Sequence, residues 1–232
     1  MSRHIFLELC TGGDLFTYIT HHRICEGEAK YIMYQIFKGI EYLHARAIAH
    51  RDLKPENILL YYPGRYPRVQ IADFGLARAR SYQETMNVCG TVAYLPPEGV
   101  LALDRKELGY VGMPADCWSA GIILYTILSG SHPFDRASSE TQEESCSNDW
   151  KSHPSQFSQG ISDRALKTNI INGAIDFDDF WDNIPDAKIL VGKLLIHDHR
   201  LRETVYGALA SSWFASDSDE LQQAYNERIG QL

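Results

Sequence analysis

His50-Arg51-Asp52-Leu53-Lys54-Pro55-Glu56-Asn57 sets a carboxylate, an ammonium and a carboxamide at fixed short spacings behind an apolar run. A strand-like run, Ile58-Leu59-Leu60, follows, then a turn at Tyr62-Pro63-Gly64. Val69-Gln70-Ile71-Ala72 comes next and delivers a second carboxylate, Asp73, in Asp73-Phe74-Gly75. Two apolar runs around a Pro-Gly turn predict a hairpin, across which two carboxylates and an amide meet.

That set of groups suits phosphoryl transfer. The reaction asks little covalent chemistry of a protein, but it needs an oriented hydroxyl and magnesium to hold the phosphates and absorb developing charge. Asp52 can accept the hydroxyl's hydrogen bond, Asn57 and Asp73 are the hard oxygen ligands magnesium prefers, and Lys54 can reach a transferring phosphate. A lone Asp-Phe-Gly would mean little. Eight letters of one loop followed by it at hairpin distance resemble the eukaryotic protein kinases.

The resemblance implies Asp52 as catalytic base, Lys54 as phosphate contact, Asn57 and Asp73 as metal ligands, and ATP and Mg2+ as cofactors. Lys54 with Gly90-Thr91 is the serine/threonine pattern. The implied fold is α+β and protein-kinase-like, a mainly helical C-terminal lobe with a short β-hairpin. The N-terminal lobe is expected to be largely absent.

The composition allows this. At 232 residues and 44% hydrophobic content the chain can bury a substantial core. Its longest apolar run, Ala120 to Leu128, is too short to span a bilayer, and Met1 to Cys10 carries Glu8 and no cleavage pattern. Cys10, Cys25, Cys89, Cys117 and Cys146 fall singly, which indicates neither a disulfide framework nor a zinc site. His21, His22, His197 and His199 lack a nearby ligand cluster and read as surface residues. The expectation is a soluble intracellular protein, nuclear or cytoplasmic, away from membranes and monomeric. A net charge of −8 disfavours nucleic acid and favours basic protein substrates.

Along the chain, Ile5-Phe6-Leu7-Glu8-Leu9 predicts a buried strand, broken at Gly12-Gly13 before a helix capped by Asp14. In the kinase likeness this is the last small-lobe strand and the hinge. The Glu8 carbonyl and Cys10 amide would then meet adenine, with Leu7 behind it, Leu59 below it, and Asp14 near the ribose. Glu56 is placed beside the same site, and Asp14 and Glu56 motivate the preference for basic substrate residues. Glu28 to Ala45 predicts a supporting amphipathic helix whose Tyr31, Tyr34, Phe37 and Tyr42 pack.

Asp73 to Glu98 resembles an activation segment, with Ser81, Thr85 and Thr91 as hydroxyls. Arg51 would pair with a phosphate added there. Asp116 is expected at the start of an apolar helix, holding the catalytic-loop backbone, and Arg202 is expected to pair with Glu98. A polar insertion is expected at about 136–163, within a domain of residues 1–214 followed by a tail, 215–232.

Gly12-Gly13-Asp14-Leu15-Phe16, Val88-Cys89-Gly90-Thr91, Tyr94 to Val100 and Asp116-Cys117-Trp118-Ser119 resemble the calcium/calmodulin-dependent kinase group, most closely its checkpoint branch, which carries a forkhead-associated domain. No such domain is found in these residues. Nor is a glycine-rich loop, a strand lysine in a Val-Ala-Ile-Lys setting, or its partner glutamate helix. Two readings follow: an active kinase represented here by its large lobe, or a kinase-like binding module without catalysis.

Overall fold

The computed structural model describes residues 4–105, 107–135, 162–173, 175 and 177–229. Its centre is a helix that is apolar on all sides, which is the pattern of an element buried within a core. It runs from Gly112 to Ser129, and every residue from Ala115 to Ile127 in it is buried.

The helices, in chain order, are α1 (Leu15–His21), α2 (Glu26–His44), α3 (Pro97–Asp104), α4 (Gly112–Ser129), α5 (Asp163–Asn172), α6 (Pro185–Leu194), α7 (Val205–Leu209), α8 (Ser212–Ala215) and α9 (Ser218–Ile229). Helix α4 packs between α2 and α6. The buried side of α2 presents Ile32, Ile36, Phe37, Ile40 and Leu43 at three- and four-residue steps, the repeat that keeps side chains on one helical face. Trp118, Trp181, Trp213 and Phe214 fill the same core, each buried large side chain contributing roughly 1.5–3 kcal/mol of transfer free energy. Gly130 closes α4 with φ 74°, the left-handed conformation glycine adopts without a Cβ clash. None of the described helices is long and apolar enough to cross a membrane.

Short strands pair antiparallel in three ladders. Strand β1 (Ile48–Ala49) pairs with β4 (Arg78–Ala79), β2 (Ile58–Leu60) with β3 (Val69–Ile71), and β5 (Glu84–Thr85) with β6 (Tyr110–Val111). The middle ladder is the expected hairpin, with Ile58 opposite Ile71 and Leu60 opposite Val69. The outer two fasten the segment after Asp73 to the helical body. A mainly helical lobe with short hairpins is what the sequence led us to expect.

Three expectations need correction. Residues 4–10 form no strand, and Ile5, Phe6, Leu7 and Leu9 are 82%, 95%, 86% and 78% exposed. A strand apolar on both faces needs neighbours, and among the described residues none pairs with it; regular pairing starts only where the Thr11 amide donates to the Tyr61 carbonyl at 3.1 Å. Helix α4 starts one turn before Asp116, because Met113-Pro114-Ala115 already continues the helical run from Gly112. Tyr42 does not pack inward: it is 59% exposed, with the Arg46 guanidinium 3.5 Å from its ring centre.

Of the expected polar insertion, residues 136–161 lie outside the described residues, while Ser162 caps α5 by accepting the Ala165 amide. Residues 218–229, expected as tail, form α9 against α2. Lys30 Nζ meets Asp217 Oδ2 at 2.6 Å, the Tyr34 hydroxyl donates to Gln222 Oε1 at 2.6 Å, and Leu221 is buried.

Candidate active site

The catalytic-loop candidate starts in β1 and ends in β2, so the hairpin and α4 jointly set its path. Arg51 takes φ 68°, a left-handed conformation that a non-glycine residue holds only when its surroundings fix it. The fixing group is Asp116. Its Oδ2 accepts the His50 amide at 2.9 Å and its Oδ1 accepts the Arg51 amide at 2.8 Å. His44, at the end of α2, donates Nε2–H to Asp116 Oδ2 at 3.0 Å. A buried carboxylate thus finds three donors.

Asp52, half-buried, is held from both sides. Its Oδ1 accepts the Thr91 amide and the Thr91 hydroxyl, each at 3.0 Å. Its Oδ2 meets the Asn57 amide and the Lys54 ammonium, each at 3.2 Å. Lys54 also donates to Thr91 Oγ1 at 2.8 Å, closing a triangle between a loop and a segment 37 residues apart in sequence. Gly90 makes that approach possible: it has φ 111°, and a Cβ there would lie 2.6 Å from the Arg51 carbonyl oxygen.

Asn57 Nδ2 gives one hydrogen to the Asp52 carbonyl at 2.8 Å and one to Asp52 Oδ2, which spends both amide hydrogens and fixes the orientation of the amide. The Ala72 amide donates to the Asn57 carbonyl at 2.8 Å, so Asp73 begins one residue from a bond to Asn57. His50 makes a second tie: Nδ1 accepts the Asp52 amide at 3.3 Å, which puts the proton on Nε2, and Nε2 donates to the Ala72 carbonyl at 2.8 Å. Asp73 itself is exposed, in a left-handed conformation, with Oδ1 accepting the Gly75 amide at 3.1 Å. These two ties bring the backbone next to Asp73 against the catalytic-loop candidate, and an amide oxygen and a carboxylate are the ligand types a magnesium ion takes, one or two at a time, with water and phosphate in its remaining positions.

The residues expected around a nucleotide divide into two groups. Leu59 pairs as an isolated bridge with Asp14, and Asp14 Oδ1 accepts the Thr17 amide at 2.7 Å, so Asp14 is spent on capping α1. Cys10 is half-buried and donates Sγ–H to Gln70 Oε1 at 3.3 Å, and its desolvation pushes the thiol up. Leu7 stands in the open. Glu8 accepts Gln70 Nε2 at 2.5 Å, a bond that holds its carboxyl below the usual range, and lies 3.6 Å from Arg68. Glu56 is exposed on the turn after Lys54.

The segment after Asp73 is fastened without any phosphate. Arg51 donates Nε–H to the Leu76 carbonyl at 2.8 Å and Nη1–H to the Asn87 carbonyl at 3.1 Å. Thr85 is buried in the β5–β6 ladder and accepts the Asn87 amide at 3.2 Å. Ser81 is buried as well, donating to the Arg78 carbonyl and accepting the Ala49 amide at 3.2 Å. Glu98 and Arg202 meet in a two-pronged pair of 2.8 and 3.0 Å, and the other three N–H groups of Arg202 donate to the carbonyls of Ile196, Pro114 and His197. All five donors of a buried guanidinium are satisfied.

Sequence reasoning missed His44 and the dual role of His50. Both are single imidazoles at element ends, where no periodicity marks them. Asp116 could have pointed to them, since a buried carboxylate must find donors.

The sequence model for the protein kinase domain matches residues 1–214. The chain is 36% identical over 229 residues to the probable serine/threonine-protein kinase fhkC of Dictyostelium discoideum, covering 97% of this chain and 34% of that protein. It is 33% identical over 217 residues to a CaM kinase-like vesicle-associated protein of Xenopus laevis, covering 92% and 52%. To a calcium/calmodulin-dependent protein kinase type 1 of Macrobrachium nipponense it is 30% identical over 232 residues, covering 99% and 59%. The chain therefore spans between a third and three-fifths of the length of these relatives.

Proposed function

Because the chain belongs to the protein kinase family, and because Asp52, Lys54, Asn57 and Thr91 meet in one hydrogen-bonded cluster, we propose that it is a serine/threonine protein kinase using ATP and magnesium. The observation that carries this reading is the environment of Asp52. Its four lone-pair sites are taken by Thr91, Asn57 and Lys54, and the two bonds on Oδ2 are the longer ones. A serine or threonine hydroxyl arriving at Oδ2 replaces the Lys54 ammonium there. Asp52 then orients the hydroxyl oxygen and takes up its proton, while the freed ammonium turns to the transferring phosphate. Magnesium–ATP, when bound, supplies the electrophilic phosphoryl group. Asn57 Oδ1 and the Asp73 carboxylate would hold the cation.

The finer reading is a calcium/calmodulin-dependent-type kinase acting on proteins with basic residues near the acceptor. Exposed Glu56 and the net charge of −8 support it. We place it as a monomer in the cytoplasm or nucleus, without direct nucleic-acid or membrane contact. The checkpoint role enters only through the letters of Gly12 to Phe16, Val88 to Thr91, Tyr94 to Val100 and Asp116 to Ser119; the relatives named above carry other names.

A competing reading is a binding module without catalysis, favoured by the open position of Leu7 where a nucleotide would need cover. Phosphotransfer from magnesium–ATP to a basic serine peptide, assayed with the full-length protein, separates the two. Asp52→Asn should lower turnover with nucleotide affinity retained, and Asp73→Asn should raise the magnesium requirement sharply. Full turnover in both variants would remove the assignment.

A further inference from the structure

The imidazole of His132, beyond the end of α4, repeats the geometry of His50. Its Nδ1 accepts the Phe134 amide at 3.3 Å, which leaves the proton on Nε2, and Nε2 donates to the Ala93 carbonyl at 2.8 Å. Burial between the rings of Tyr94 and Phe134 pushes this imidazole down to about 4, so near neutral pH it keeps the tautomer these two bonds require. Ser119 on α4 donates to the next carbonyl, that of Tyr94, at 2.9 Å. Two anchors from outside thus fix consecutive carbonyls of the 3-10 turn Val92–Tyr94, whose own bonds run from the Tyr94 amide to Thr91 and from the Leu95 amide to Val92.

That turn follows directly on Thr91, which binds Asp52 through both its amide and its hydroxyl. A peptide whose hydroxyl sits at Asp52 has its neighbouring residue about 3.3–3.6 Å further along the chain. A shift of the Ala93 carbonyl therefore moves the surface that the flanking residue meets. We propose that His132 is a positioning residue for the protein substrate, holding the Val92–Tyr94 turn in the register that seats the residue beside the acceptor hydroxyl. The proposal rests on the phosphotransfer reading above.

The test uses the full-length protein as wild type, His132→Phe and His132→Gln, with magnesium–ATP and a basic serine peptide. The Phe variant keeps a ring and loses the N–H; the Gln variant restores a donor. His132→Phe should raise the peptide KM by about five- to tenfold and leave kcat and the KM for ATP within about twofold, and His132→Gln should recover most of the loss. An unchanged peptide KM, an equal rise in the KM for ATP, or failure of Gln to rescue would overturn the proposal. Peptide binding by fluorescence anisotropy separates it from the reading beneath it. A wild type that binds the peptide without transferring phosphate defeats the kinase reading alone, and weaker binding by His132→Phe then still supports the positioning role. Equal binding by all three proteins, or none by the wild type, defeats the proposal. Hydrogen exchange at the Tyr94 and Leu95 amides checks the anchor itself: faster exchange in His132→Phe supports it, and unchanged exchange overturns it.

Discussion

The Asp116 carboxylate accepts the Arg51 amide at 2.8 Å across 65 residues of sequence, and Arg51 is the residue whose left-handed backbone turns the chain toward Asp52. The loop is thus shaped from below by α4. Asp116→Ala would leave the His50 and Arg51 amides and the His44 ring buried without an acceptor. Each such group costs about 1–3 kcal/mol, so a total loss of at least ~3 kcal/mol is expected in urea unfolding. Exchange of the His50 and Arg51 amides should quicken in parallel. A loss under ~1 kcal/mol would mean that the loop holds its shape without this carboxylate.

Arg202 and Glu98 provide the second long-range tie. Arg202→Lys keeps the charge but presents one ammonium where five N–H groups were matched, so the Glu98 fork and the three carbonyls cannot all be served. A destabilisation of about 2–4 kcal/mol is expected, and Glu98→Gln should cost less because one fork oxygen remains. Thermal or urea unfolding of both variants checks the order, and equal stability of Arg202→Lys and wild type would refute it.

Thr91 gives a sharper test of the site, because its hydroxyl both donates to Asp52 and accepts from Lys54. Thr91→Ser preserves both bonds and should keep kcat within about threefold in the full-length protein. Thr91→Val keeps the shape, removes both bonds, and should lower kcat by at least about tenfold. A Val variant as fast as the Ser variant would detach Thr91 from the chemistry.

Local chemistry decided which parts were legible. The hairpin could be read because Ile58-Leu59-Leu60 and Val69-Gln70-Ile71 flank a Pro-Gly turn, and α2 because its apolar residues keep helical spacing. The pairing of Glu98 with Arg202 and the hold of Asp116 on the loop backbone came from the family resemblance, since no periodicity links such distant positions. Residues 5–9 misled for a physical reason: an apolar run specifies burial, but the burying neighbours must come from elsewhere. The fixings of the segment after Asp73 were hidden too, because two-residue strands such as β4 and β5 are set by tertiary pairing. His44 and His132 act through the ring nitrogens of isolated imidazoles, which leave no pattern.

The last prediction concerns the polypeptide of residues 1–232 measured by itself. On the reading proposed above, Leu59 and the hairpin would be the floor for an adenine ring, but Leu7, expected behind that ring, is 86% exposed. On the same reading, Lys54, Asn57 and Asp73 would meet a metal-bound phosphate from one side. A kinase nucleotide site ordinarily adds glycine-loop amides and a strand lysine from above. A charge-assisted hydrogen bond to phosphate is worth about 1.5–3 kcal/mol, so doing without two or three of them takes a micromolar ligand to millimolar or weaker. Catalysis should fall further, because the phosphates must also be held in line. Titration calorimetry with magnesium–ATP should therefore show no binding in the micromolar range. Micromolar affinity would mean that residues 4–10, or a second copy of the chain, fold over Leu59 and supply the missing cover. Exchange protection of the Leu7 and Leu9 amides on adding nucleotide would identify the first of these.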